Sequence, residues 1–234
     1  MRDADLTFDI ADEVRALGLK GAYFTLRGVR NRAADPAFNE ISNQILTRAR
    51  AGLTPEKIDH DPALRGFREL HKAVGRGGRK NLAAPENLLT MLLRQGRLPQ
   101  VNLLVDIYNT VSVKSRLAVG AHDLAAVTGN IHLRLTAGGE GFWPLGAPEP
   151  KAVKPGEYAY VDDANDIICW LEVRQVEKTK VTLETTECFY IVQGNAYTDD
   201  AHLRAATEEL LALTKRFCGG EERMLYASYD STSP

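Results

Sequence analysis

Apolar residues recur at helical spacing through the first part of the chain. Ile10, Val14 and Leu17 fall on one face and Gly18 closes the run, which predicts a short opening helix. Residues 21–29 (GAYFTLRGV) alternate well enough for a strand. Asp35-Pro36 is a helix start, and Phe38, Ile41, Ile45 and Ala49 give that helix its apolar face before Gly52 ends it. Asp61-Pro62 repeats the device with Leu64, Phe67, Leu70 and Val74, stopped by Gly75. Pro85 opens another helix carrying Leu88, Leu89 and Leu92, stopped by Gly96.

Beyond Pro99 the pattern changes. In VNLLVDIYNTVSV the polar Asn102, Asp106, Asn109 and Ser112 stand at separations that put them on one face of an otherwise apolar helix. Such a stripe is either hydrogen-bonded to neighbouring loops or lines a cavity. Residues 131–137 (IHLRLTA) alternate with period two, and segments near 157–161, 166–173, 178–183 and 185–193 are rich in β-branched and aromatic residues. Gly and Pro clusters separate them. A closing helix is expected from about Asp200 to Phe217, with Leu203, Leu210, Leu213 and Phe217 on one side and Gly219-Gly220 after it. The order of elements predicts an α/β chain of the α+β kind, folded as one unit over 1–226, with a disordered tail at 227–234.

Composition narrows the function classes. With 234 residues, 44% of them hydrophobic, the chain can bury a core. No run approaches the roughly 18 consecutive apolar residues of a membrane span, and the opening MRDADLTFDIADEV is acidic, so a soluble, cytoplasmic protein is expected. Cys169, Cys188 and Cys218 lack CxxC spacing and read as buried thiols. The net charge of −2 offers no global attraction to polyanions, so RNA binding would need a local patch. The run RGFRELHKAVGRGGRK provides one candidate in Arg65, Arg68, Lys72, Arg76, Arg79 and Lys80; the alternative is a solvated helix face followed by a Gly/Arg loop.

Common catalytic signatures (GxSxG, HExxH, a Walker loop) are missing from the sequence. His122, beside Asp123 in a turn-like GAHD segment, is the histidine best placed to act as a base or hydrogen-bond donor, although neighbouring side chains on extended backbone point apart. His60, His71, His132 and His202 read as ordinary positions; no metal and no cofactor are expected. Gly138-Gly139-Glu140 is either a simple β-turn or a place where backbone amides approach a ligand. Arg174 and Gln175 are either a surface pair or contacts for a phosphate or carboxylate.

From Pro99 to Gly146 the chain, most clearly in LPQVNLLVDIYNTVSVKSRLAVGAHDLAAVTGNIHLRLTAGGEGF at 98–142, resembles the B3/B4 region of the phenylalanyl-tRNA synthetase β chain. The shared order is a V-D-x-x-N helix, a turn into an H/D-L segment, a strand and a Gly-Gly-Glu turn. The likeness extends more loosely through Thr186 and upstream to the Pro85-Glu86-Asn87 helix. It implies a B3/B4-like mixed sheet packed with helices: a helical N-terminal part over 1–80, a core over 81–195 and a C-terminal helix over 196–220. It also implies a cavity that takes the aminoacylated 3′ end of tRNA and hydrolyses a mistaken ester. Residue by residue, Asn109 matches the family's helix Asn and Tyr108 replaces its Thr; the family His falls on Gly120, with His122 two positions later. The family's Gly-Gly turn falls roughly on Arg174–Val176 and its Glu near Tyr190 or Ile191, and neither is kept. The implied assignments are Asn109 and His122 for catalysis and Tyr108, Ser112, Asp123, Gly139, Glu140 and Arg174 for the substrate, with the basic run on tRNA phosphates. The readings left standing are a trans-acting aminoacyl-tRNA deacylase, a non-catalytic tRNA or small-molecule binding module, and a hydrolase of a free aminoacyl compound.

Overall fold

Two β-sheets and a helical layer stack so that the middle sheet is buried on both faces. The computed structural model describes residues 6–78 and 80–230. One sheet has the order β1-β4-β5-β6-β7, built from β1 (Phe8–Ile10), β4 (Ile131–Leu135), β5 (Tyr158–Asp162), β6 (Ile167–Trp170) and β7 (Arg174–Gln175). The other has the order β3-β8-β2-β9, from β3 (Ala118–Asp123), β8 (Glu187–Gly194), β2 (Lys20–Arg27) and β9 (Glu221–Ala227). The β1–β4 pair is parallel and the remaining ladders are antiparallel. The class is α+β, with the strands divided between two sheets.

Period-two alternation explains the middle sheet. Along β2, Ala22, Phe24 and Leu26 face the helices while Tyr23 faces the first sheet; along β8, Cys188, Tyr190 and Val192 face the helices while Phe189 and Ile191 face the first sheet. Between the sheets Phe8, Tyr23, Tyr160 and Phe189 form an aromatic cluster, with Phe8 and Tyr23 centroids 4.2 Å apart. On the other face lie α6 (Leu103–Ser115), α7 (Asp200–Cys218) and Phe38 of α2 (Pro36–Arg50). A third apolar cluster joins α2, α3 (Pro55–His60), α4 (Pro62–Ala73), α5 (Ala84–Gln95) and α6 through Leu46, Ile58, Leu64, Leu89 and Val113.

Local chemistry accounts for the helix ends. Asp35 and Asp61 accept hydrogen bonds from Phe38 N and Ala63 N ahead of Pro36 and Pro62, and Asn102 caps α6 by accepting from Val105 N. Gly96 ends α5 in the left-handed region at φ 73°.

Four expectations are corrected. Ile10 belongs to β1, and the opening helix is the single turn α1 (Asp12–Arg15). The GAHD segment is the end of β3, not a turn, because residues Ala118–Asp123 pair along β8. Residues 178–183 make no strand: Thr179 O accepts from Asp123 N, Val181 O accepts from Asn102 Nδ2, and Thr185 Oγ1 takes Thr182 N, so local bonds replace a ladder. Order continues past Tyr226, because β9 pairs with β2, Ser228 N donates to Gly21 O, and Arg204 stacks on Tyr229. Positions 231–234 of the expected tail, and Arg79 of the basic run, lie outside the described residues.

Candidate functional site

A cleft of about 410 Å³ opens where the two sheets diverge. β3 is an edge strand of the second sheet and the two-residue β7 is an edge of the first, so a gap is left between them. α5 and α6 close one side. α6 contributes Val105, Tyr108 and Asn109, the i, i+3 and i+4 positions of one helical face. β3 contributes Ala118, Gly120 and His122, alternate residues on one side of a strand. The offset that keeps His122 on the same side as Gly120 therefore places both on the cleft wall. The segment after β6 brings Glu172, Arg174 and Gln175.

His122 is 1% exposed. Its Nδ1 lies 3.0 Å from Thr179 Oγ1, whereas Nε2 has no hydrogen-bond partner among the described residues. Burial pulls its pKa down to about 3, so the ring is neutral at physiological pH. Tyr108 is buried, which pushes its phenol well above the usual range against a hydrogen bond from Gln175. Asn109 is half-buried and also borders a narrow groove against α2. A Cβ at Gly120 would come within 3.2 Å of Gln175 Nε2, so glycine there preserves the open space. Arg174 is exposed at the rim, beside Leu145, which is 44% exposed.

Beneath the cleft lies a buried polar cluster that sequence reading missed. His71, set aside as an ordinary helix position, contacts Glu172 through Nε2 and Asn81 O through Nδ1 at 2.7 Å. Tyr158 Oη and Gln193 Nε2 donate to Glu172 Oε2 at 2.6 and 2.8 Å. The Asn81 carbonyl calls for a proton on Nδ1, and beside an ionised Glu172 carboxylate the other nitrogen carries one as well, which makes an imidazolium–carboxylate pair. Burial opposes the charge on His71, but Glu172 outweighs it and the pKa rises. Leu171, just before Glu172, sits in the left-handed region at φ 51°, a strain of about 1–3 kcal/mol for a side chain of this kind. Glu172 O accepts from Ala84 N, tying this turn to the start of α5. The sequence signal was a glutamate in the apolar run CWLEV and a histidine on the buried face of α4.

Other expected site residues lie elsewhere. Ser112 is buried and donates to Leu117 O, so the polar stripe of α6 divides: Asn102 caps the helix, Asp106 accepts from Val101 N, and Asn109 alone of the four borders the cleft. Asp123 points away from His122, accepting from Ala125 N and Thr185 Oγ1. Gly139 and Glu140 form a self-contained turn after β4. Burial pushes the Glu140 carboxyl up, but the Ala137 amide, Arg134 and the Gly139 amide outweigh it and bring it down to about 2. In the basic run, Arg65 lies 3.5 Å from Glu69 and over Tyr197, Arg68 pairs with Asp59 at 2.9 Å, and Arg76 pairs with Glu157, while Lys72 and Lys80 are exposed. Among the described residues, no group of three or more His, Cys, Asp or Glu side chains could hold a metal, and no helix is long and apolar enough to cross a membrane.

Comparison with known proteins supports the resemblance. Among solved structures, the chain is similar to an N-terminal fragment of the phenylalanyl-tRNA synthetase β-subunit from Pyrococcus horikoshii, with 15% identity and a TM-score of 0.51. That match covers 95% of this chain and 51% of the other, so the chain spans about half the length of the fragment it matches. At that identity the likeness establishes the fold. No curated protein matches the chain. The B3/4 domain family matches residues 67–219, which takes in α5, α6, both cleft-facing strand edges and the segment carrying Glu172. The chain belongs to the B3/4 domain family.

Proposed function

We propose that the protein hydrolyses a mischarged aminoacyl-tRNA in trans, taking the aminoacylated 3′ end into the cleft between α5, α6 and β3. The observation that carries this reading is His122: a neutral, buried imidazole with an unsatisfied Nε2 bordering an otherwise largely apolar cleft. A buried polar atom without a partner costs about 1–3 kcal/mol, a cost that a ligand or an ordered water can relieve. Asn109 and the Gly120 backbone lie on the same walls, so the acyl carbonyl and a water can be held together.

An aminoacyl ester is already activated, and positioning with hydrogen-bond donors lowers its barrier further. Water oxygen bonds to the acyl carbon, the bond from that carbon to the ribose oxygen breaks, the departing oxygen takes a proton, and the water's surplus proton passes to solvent. With its pKa near 3 His122 is a poor proton acceptor at neutral pH, so its role is to orient the water or the ester. Asn109 holds the carbonyl, Tyr108 shapes the acyl pocket and Arg174 meets negative charge at the rim.

One observation favours a second reading, binding without turnover. Burial raises the Tyr108 phenol and the Cys169 thiol and lowers His122, so none of these three is poised near neutrality. Deacylation of a panel of correctly and incorrectly charged tRNAs by catalytic amounts of protein decides between them. Turnover of one mischarged species, lost in Asn109→Ala and His122→Ala variants that remain folded, is the expected result. Absence of turnover across the panel would refute hydrolysis, and full activity in both variants would refute the site assignment.

A further inference from the structure

Beside the cleft lies a second groove of about 530 Å³, walled by the 142–153 loop on one side and by Arg76, Asn81 and Trp170 on the other. We propose that this groove is a separate site for a small organic carboxylate, and that its occupancy is transmitted to the cleft wall through β7. The proposal goes beyond the reading above and does not depend on what the cleft binds or hydrolyses.

Charge selects an anion. Arg76, Lys151 and Arg174 border the groove against the single carboxylate of Glu157. Glu157 is 2% exposed and both its oxygens are taken, one by Arg76 and the other by Trp170 Nε1 at 2.6 Å, so its charge is balanced inside the wall. Lys151 and Arg174 are exposed and form no ion pair with any carboxylate among the described residues, which leaves two positive charges at the groove's border.

The lining selects a small molecule with an apolar body. The volume falls within the range of about 300–1,000 Å³ typical of small-ligand sites. Phe142 and Trp170, with ring centroids 6.0 Å apart, and Val153 line the same space with apolar surface. An acid group on Lys151 and Arg174 with a hydrocarbon or aromatic body on these side chains satisfies both parts of the lining, whereas an inorganic anion would leave the apolar part facing water.

The groove and the cleft share one wall. Arg174 borders both, and next to it Gln175 lines the cleft. β7 consists of these two residues alone, paired with Trp170 and Cys169 of β6. From the groove side Leu145 N donates to Gln175 O at 2.8 Å, and Lys151 N donates to Phe142 O, closing the loop that carries Leu145. The Gln175 side chain reaches across to β3, where Nε2 donates to Ala121 O at 3.4 Å, a length at which the bond is weak. A carboxylate that draws Lys151 and Arg174 together therefore acts on Gln175 twice, along the chain through Arg174 and across the loop through Leu145. The weak bond to β3 is the first to respond.

The test is an NMR titration of isotope-labelled protein with benzoate, with acetate as the probe that lacks the body and benzyl alcohol as the probe that lacks the charge. The Trp170 indole N–H is assigned by its survival in Trp143→Phe. Benzoate should shift that signal and the Gln175 side-chain amide along one saturation curve, and acetate and benzyl alcohol should bind about tenfold more weakly or worse. Lys151→Ala, at an exposed position, should weaken benzoate by about two- to fivefold. The site is overturned if the Trp170 signal does not saturate, if benzyl alcohol binds as well as benzoate, or if Lys151→Ala binds benzoate unchanged. It is overturned too if a short single-stranded RNA displaces benzoate, since the groove would then belong to nucleic acid. Saturation at Trp170 with no change at Gln175 would overturn transmission to the cleft.

Discussion

Replacing His71 by leucine isolates the most consequential interaction under the cleft. His71 is 1% exposed and its partner Glu172 5%, and the Glu172 carboxylate accepts from His71, Tyr158 and Gln193 together. Leucine is close enough in volume to leave little cavity, so the cost is chiefly an uncompensated buried charge, about 3–5 kcal/mol when one partner of a buried pair is removed. Against a total stability of about 5–15 kcal/mol, that is a large fraction. With a urea slope of about 2 kcal/mol/M, the unfolding midpoint should fall by roughly 2 M. The double variant His71→Leu, Glu172→Gln should recover part of the loss, since no charge is left behind. The sign of the pH dependence follows from the raised pKa of His71. Its contribution is complete below the unfolded value of about 6.5 and is lost as pH rises through the higher folded value. Wild type should therefore lose more stability over that window than His71→Leu, in which the His71 contribution is gone. A loss below about 1 kcal/mol, or an unchanged pH profile in the variant, would show that the pair is not ionised and that the proton count at the ring is wrong.

Two further outcomes probe the frame around the site. His132 stands between Asp9 and Asp163, at 2.5 and 2.8 Å, and their hydrogen bonds outweigh its burial to raise its pKa. By the same sign rule the β1–β4 edge should be firmest below about pH 6.5 and loosen as pH rises through the folded pKa; an NMR titration placing His132 at or below its ordinary value would contradict this. At Gly66 on α4 a Cβ would lie 2.0 Å from Asn195 Oδ1, and Asn195 also donates to Ala63 O. Gly66→Ala, which would gain helix propensity on an exposed site, should instead destabilise by about 1–3 kcal/mol, and a rise in melting temperature would refute the close approach.

Elements that carry their own start and stop signals were legible from the sequence. α2, α4 and α5 match their predicted spans because Pro at the first turn and a stop residue act locally, independent of tertiary contacts. β9 was not legible, since EERMLYA opens with three charged residues, shows no period-two alternation, and is a strand because β2 offers it an unpaired edge. α3 escaped notice for a different reason: six residues are too few for a helical period to repeat. Residues 178–183 show the reverse error. Their β-branched side chains suit a strand, yet Thr179 and Val181 spend their backbone carbonyls on Asp123 and Asn102.

The site was legible only as far as one segment reaches. Asn109 and His122 were recoverable from the residues themselves, while Tyr108 and Gly120 came through the family resemblance, and a single helix-to-strand stretch carries all four. Ser112 passes the test of helical periodicity, four residues after Tyr108 and seven after Val105, yet stays out of the cleft because its hydroxyl is taken up by Leu117 O just beyond the helix end. His71 and Glu172 are 101 residues apart, and nothing local to either says that they meet. What the sequence does show at each is a titratable residue among apolar neighbours, and burial allows such a residue only if it finds a partner or gives up its charge. His71 takes the first course and His122 the second, with its Nε2 left unsatisfied. A histidine that has lost its charge without gaining a full set of partners bears on function more directly than one that is paired. On the proposed reading, that difference gives His122 the ligand in the cleft and His71 the support beneath it.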